Sequence, residues 1–220
     1  ASGAFFISGT GFASASADAV TVRYNDSGID YTAYNIDIGT YSYTFGNFGG
    51  TSDLSEISVT NLSVVLFDSL VISGDFGIKS QDDNIVLITD EATALMSAGE
   101  FEVGVQNASL GLVIDSDGKK VFQASGAMVA NLGDAIQVSA NNIQMELNET
   151  DEDYTGNVIE TADLSYTFSE LEASLTTLKV GIDEARLSMY DFLEVEANIA
   201  FYKTTTQTTV VKDDVSSQVD

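Results

Sequence analysis

Ser42-Tyr43-Thr44-Phe45 stands again, unchanged, as Ser165-Tyr166-Thr167-Phe168, an offset of 123 positions. The same offset carries Ala1-Ser2-Gly3-Ala4 to Ala124-Ser125-Gly126-Ala127 and Asp30-Tyr31-Thr32 to Asp153-Tyr154-Thr155. Residues 1–97 align with 124–220 without a gap, and about 18 of the 97 positions are identical. Self-similarity at a fixed period is the signature of stacked units rather than of an enzyme with one unique site. It divides the chain into a partial copy at 1–97, a segment at 98–123 that completes the period, and a second partial copy at 124–220.

The repeated stretch also alternates. Tyr41, Tyr43 and Phe45 share one parity, as do Leu164, Tyr166 and Phe168. Val20, Val22 and Tyr24 alternate with Thr21 and Arg23, and Ile143, Met145 and Leu147 repeat the pattern one period later. Phe101, Val103 and Val105 form a further run, followed by Leu110, Leu112 and Ile114. Period-2 alternation puts one side of a strand in a core and the other in water. Turn signals separate the runs: Asn25 to Gly28, Gly49-Gly50, Ser80 to Asn84, Asp115 to Gly118, and Asn148 to Asp153. The chain has no proline, which suits long ladders in which every backbone N–H is wanted. The expected fold is all-β: a tandem repeat of about 123 residues forming an elongated rod, as a coiled sheet, β-solenoid or stacked sandwich.

Two stretches carry a helical signal. Ser169-Glu170-Leu171-Glu172 has the form of a capping box, with Leu171, Leu175 and Leu178 at helical spacing. Its counterpart one period earlier, Gly46 to Thr51, is glycine-rich and a poor helix, so a loop or single turn is expected. Glu91 to Ala98 is the other plausible helix, and a short one.

Composition excludes several functions. With 34 acidic and 8 basic residues the net charge is −26. Nucleic acid is disfavoured, because binding it rests on Lys and Arg neutralising phosphates. No apolar run is long enough for a transmembrane segment, and no basic, apolar leader opens the chain. Without His or Cys, no Ser-His or Cys-His nucleophile pair can be assembled, so no enzyme is expected. No cofactor is expected apart from calcium.

Calcium has four candidate ligands. Asp115-Ser116-Asp117-Gly118 resembles the start of an EF-hand loop, but Gly126 stands where a bidentate Glu is required, and a hairpin turn accounts for it better. Asp151 and Asp153 form a second acidic turn, of which only Asp153 has an acidic counterpart, Asp30. Four Asn-x-Ser/Thr sequons mark glycosylation candidates at Asn25, Asn61, Asn107 and Asn148. Asn25 and Asn148 are repeat equivalents beside turns, where a turn-forming Asn explains them equally well. The aromatic strips could stack on sugars, but at strict period 2 they read first as core or cross-strand packing.

The runs Leu193 to Phe201, Phe122 to Ala127 and Ile136 to Thr150 carry a family resemblance. With Leu95-Met96-Ser97, Ala124-Ser125-Gly126 and Asn148-Glu149-Thr150 in that order, the chain resembles the long tandem β-repeats of giant bacterial surface and adhesin-like proteins. The resemblance implies a secreted, elongated, adhesive or structural role at the cell surface, with no catalytic residues.

The expected function is a structural subunit of an extracellular fibre or stalk, assembled end to end by strand stacking. Its main partner would then be further copies of itself, with cell-surface or polysaccharide contact as a second possibility. A calcium-dependent adhesin repeat carrying a distal binding domain is the alternative. A lipid-binding β-groove is a third. The second copy stops inside a unit, so a neighbouring chain, or more of the same chain, is expected to supply the missing stacking surface.

Overall fold

A computed structural model describes residues 2–9, 13–46, 54–67, 69–81, 83–133, 136–173, 178–190, 192–202, 208–212 and 215–219. The Gly49-Gly50 turn and Leu175 lie outside these. The described chain is all-β. Ten strands make one antiparallel sheet: β1 (Ser2–Gly9), β2 (Ala13–Asn25), β5 (Leu54–Leu66), β6 (Leu70–Gln81), β7 (Asn84–Ala98), β8 (Phe101–Ile114), β9 (Lys120–Leu132), β10 (Ile136–Asn148), β13 (Lys179–Met189) and β14 (Leu193–Tyr202), in that spatial order. Two small hairpins interrupt the meander, β3 (Asn35–Ile38) with β4 (Tyr41–Thr44), and β11 (Val158–Glu160) with β12 (Ser165–Thr167). Among the described residues, β15 (Thr208–Lys212) and β16 (Val215–Val219) form a separate two-stranded sheet.

Two expectations meet the structure here. Glu91 to Ala98 is not a helix but the second half of β7. The residues described around Ser169 and Leu171 form no helix, as the comparison with Gly46 anticipated.

The strand ladders assign the faces. One row of directly paired residues runs Val20, Val59, Phe76, Thr89, Leu110, Ala124, Met145, Val180 and Phe201. A second runs Ala15, Val64, Ile72, Ala94, Val105, Met128, Ala140, Ala185 and Ala197. Both rows lie on one face, because β9 and β14 pass from one to the other in an even number of residues with no bulge. That face is almost wholly apolar.

Other strands would change parity between the rows. In β5, β7, β8 and β13 a bulge restores it, each with a non-glycine residue at positive φ: Asn61, Glu91, Asn107 and Glu184. An extra residue at each bulge keeps the apolar side chains on the same face and adds local twist. Together the bulges draw a polar crease across the sheet. Two of the sequons, Asn61 and Asn107, are crease residues, and Asn tolerates this backbone better than most.

Candidate functional site

The hairpins sit on arms that leave the sheet after β2 and after β10. Each arm begins at one of the other two sequons, and the two bases share one hydrogen-bond scheme. The Asn25 Nδ2 donates to the carbonyl of Ile29 at 2.8 Å, and its Oδ1 accepts from the amide and hydroxyl of Ser27. The Asn148 Nδ2 donates to the carbonyls of Glu152 at 2.8 Å and Glu172 at 2.9 Å, and its Oδ1 accepts from the amide and hydroxyl of Thr150. The sequon spacing is thus that of an Asx turn whose third residue supplies a second donor. The nitrogen a glycan would occupy is already committed in both, and Asn148 is completely buried.

Asp30 and Asp153 then accept the amides of Thr32 and Thr155 at 2.7 and 2.8 Å. These amides, and then the Thr hydroxyls, hold both carboxyls below their ordinary range. Asp153 is therefore a turn former. Asp115 accepts the amides of Asp117 and Lys119 in the β8–β9 hairpin, both at 2.9 Å. Asp151 lies 3.7 Å from the Lys119 ammonium. The acidic turn at Asp115 thus sits beside the base of the second arm. Among the described residues no three acidic side chains come together to hold a metal ion.

Asn148→Ala leaves the carbonyls of Glu152 and Glu172 and the buried Thr150 amide without their partner. It should cost about 2–3 kcal/mol in urea unfolding. Asn148→Asp, which keeps the acceptor and loses the donor, should fall between the variant and the parent.

The second arm lies down on the sheet. β11 crosses over β7 and β12 over β8, on the face opposite the apolar rows. One row of paired residues on this face runs Thr21, Ser58, Gly77, Ile88, Gly111, Gln123, Glu146 and Lys179. Its small residues make room for the arm. A Cβ on Gly111 would come within 2.3 Å of the Tyr166 ring, and one on Gly77 within 2.5 Å of the Thr161 hydroxyl. Phe168 and Leu171, both 0 % exposed, pack with Val113 and Val121 as the core of the docked arm, and Tyr154, Ile159 and Val86 close around them. Tyr154 and Tyr166 meet Phe168 edge-on.

Polar contacts fix the arm at both ends. At its return, Gln123 donates to the Ser169 carbonyl at 2.8 Å and accepts the Ser169 amide at 2.9 Å and the Tyr166 hydroxyl at 3.2 Å. At its tip, the Ala162 amide donates to Glu56 on β5, which is also paired with Arg23 of β2. The arm thus spans five strands, β9 back to β5. Beside it a cleft of about 280 Å³ is lined by Ser109, Gln123, Gln144, Glu146, Ser165 and Tyr166.

Burial, and then the nearby Glu146 carboxylate, push the Tyr166 phenol up to about 12. The folded state favours the neutral phenol, so its contribution is whole below the ordinary value of about 10 and is lost as pH rises towards the folded value. An alkaline titration followed by phenolate absorbance should show a late-ionising phenol that Tyr166→Phe removes.

The first arm has the same internal bonds, but among the described residues no strand of the large sheet packs under its hairpin as β7 and β8 do under the second. The Ala33 amide bonds the Phe45 carbonyl and the Phe45 amide the Tyr34 carbonyl, as Gly156 and Phe168 do with Phe168 and Asn157 in the second arm. Tyr31 meets Tyr34 and Phe45, and Tyr43 meets Phe45, all within the arm. Tyr41 is 82 % and Ile38 71 % exposed. The aromatic strip is therefore core packing in the second arm and open surface in the first. Sequence reasoning found these residues but had no signal for the reach of the arm across five strands.

Comparison with protein-family models, with curated proteins and with solved structures finds no match to this chain. No helix among the described residues is long and apolar enough to cross a membrane.

Proposed function

We propose that the chain is a structural segment of an extended extracellular β-assembly. Units of 123 residues add strands to one continuous sheet, and the arm of each unit straps down the strands laid before it. One observation carries this reading. β2, the first arm, β5 and β6 recur 123 positions later as β10, the second arm, β13 and β14, in the same order within one uninterrupted sheet.

Paired substitutions support it. Asn61 donates its side chain to Asp18 at 2.8 Å and its backbone to Asp75 at 2.7 Å, while at the equivalent crease positions Asn141 donates to Glu184, whose backbone bonds Asn198 at 2.9 Å. Amide and carboxylate have changed places and the bonds remain. Arg23 opposite Glu56 likewise becomes Glu146 opposite Lys179. The sheet has β1 and β14 as its outer strands, and unpaired strand edges template further strands. The excess of acidic residues would limit sideways clumping of such assemblies.

Six strands separate equivalent positions in the sheet, which at strand spacing gives an axial repeat of about 29 Å. Negative-stain micrographs of concentrated protein, across salt and calcium concentrations, should show filaments with that repeat or a small multiple of it. Monodisperse particles under every condition would count against the proposal.

The largely apolar face favours a second reading, a lipid-binding groove. A groove of about 290 Å³ lies on it at the crease, lined by Val105, Leu110, Phe122, Ile143 and Met145 among others. Native mass spectrometry after incubation with fatty acid should then retain bound lipid, and an unchanged mass counts against that reading.

A further inference from the structure

The exposed first arm is the counterpart of a docked one, so the second arm shows what should lie under it. We infer that the first arm is a docking element for a second copy of this chain, and that its tip seats on the polar face of that copy's β13 and β14. The inference rests on the strand-addition reading above.

The strand count sets the register. The second arm reaches back over β9, β8, β7, β6 and β5. The sheet holds ten strands, and the β15–β16 hairpin supplies two more. Twelve strands are two intervals of six. With β15 and β16 laid beside β14, the β1 of a second copy takes the next place, and its first arm falls six strands after the second arm of the copy before it. The tip then lies over β14 and β13, as the tip of the second arm lies over β6 and β5.

The residues at that place are the offset partners of the known seat. Lys179 stands for Glu56, Gly181 for Ser58 and Ala200 for Gly77. The face there is open: a depression of about 240 Å³ is lined by Gln144, Glu146, Lys179, Gly181 and Ala200. On the arm, Ile38 stands for Thr161 and Gly39 for Ala162. Ile38 on Ala200 replaces a hydroxyl on a glycine, so the contact becomes apolar and the tip rides about a methyl group higher. The arm carries Asp26, Asp30 and Asp37 with no Lys or Arg, and its tip meets Lys179, itself opposite Glu146, where the second arm meets Glu56 opposite Arg23.

The chain has no cysteine, so trapping is clean. Ile38→Cys in one preparation and Ala200→Cys in another place one thiol on the arm and one on its seat, both at exposed positions where folding is undisturbed. Mixed at high concentration under a mild oxidant, they should give the heterodimer several-fold above either homodimer. Each cysteine variant mixed with the parent chain, which has no cysteine, is the control and should give no heterodimer. A heterodimer no more abundant than the homodimers overturns the docking. Filaments of the parent chain without the cross-link overturn the docking and leave strand addition standing, whereas loss of both removes both.

Discussion

Phe168→Ala should lower the stability of the chain by about 3–5 kcal/mol, while Phe45→Ala, the same change one period earlier, should cost about 1 kcal/mol. The two residues have the same neighbours in sequence, Ser-Tyr-Thr before each, and the same backbone bonds. They differ in what lies beneath. Phe168 is fully buried with Leu171 against Val113 and Val121, so its truncation opens a cavity between arm and sheet. Phe45 is half-buried against Tyr31 and Tyr43 of its own arm, rings that can relax into the space. Urea unfolding of the two variants measures the contrast. Equal costs would mean that the second arm owes its stability to its own turn and not to the sheet. If copies dock as inferred, the cost of Phe45→Ala should rise with protein concentration, because binding stabilises only the folded partner.

The strands were legible because one face of each is apolar and the period is 2. Val20, Val22 and Tyr24 declare β2, and Phe101, Val103 and Val105 declare β8. The helix expected at Glu91 to Ala98 failed for a reason the ladder shows. A bulge at Glu91 shifts the apolar phase from Thr89 to Ala94, and a phase shift in mid-strand leaves Ala92, Leu95 and Met96 at spacings that mimic a helical turn. Local pattern cannot tell one inserted residue from a change of period. The docked arm was illegible for a different reason. Nothing near Tyr166 in sequence says that Gly111 will lie beneath its ring, because that contact is set by how many strands the arm crosses. The offset carried further than either pattern. It removed the helix at Ser169, and it pairs Asn25 with Asn148 so closely that one hydrogen-bond scheme explains both.

Glu56→Ala should cost about 3–5 kcal/mol, the range for removing one partner of a buried ion pair. The Glu56 side chain is fully buried and that of Arg23 nearly so. Glu56 also accepts the Ser58 hydroxyl at 3.3 Å and the Ala162 amide at the tip of the arm. Its loss takes the carboxylate away from the Arg23 guanidinium on β2 and from the Ala162 amide at the tip, so the strand and the arm lose their common anchor. Glu56→Gln keeps an acceptor for Ala162 and Ser58 but gives up the charge, and should recover about half of the loss. Hydrogen exchange separates the two roles. In Glu56→Ala the amides of β11 and β12 should exchange at least tenfold faster, together with those of β2 and β5 near Arg23. In Glu56→Gln the strands should loosen while the arm stays protected. Replacing both partners, Arg23→Leu with Glu56→Met, removes both charges and should restore the sheet. The arm tip should remain loose, because the Ala162 amide still lacks its acceptor. An arm as well protected in that double variant as in the parent would show that the apolar core under Phe168 holds it without Glu56.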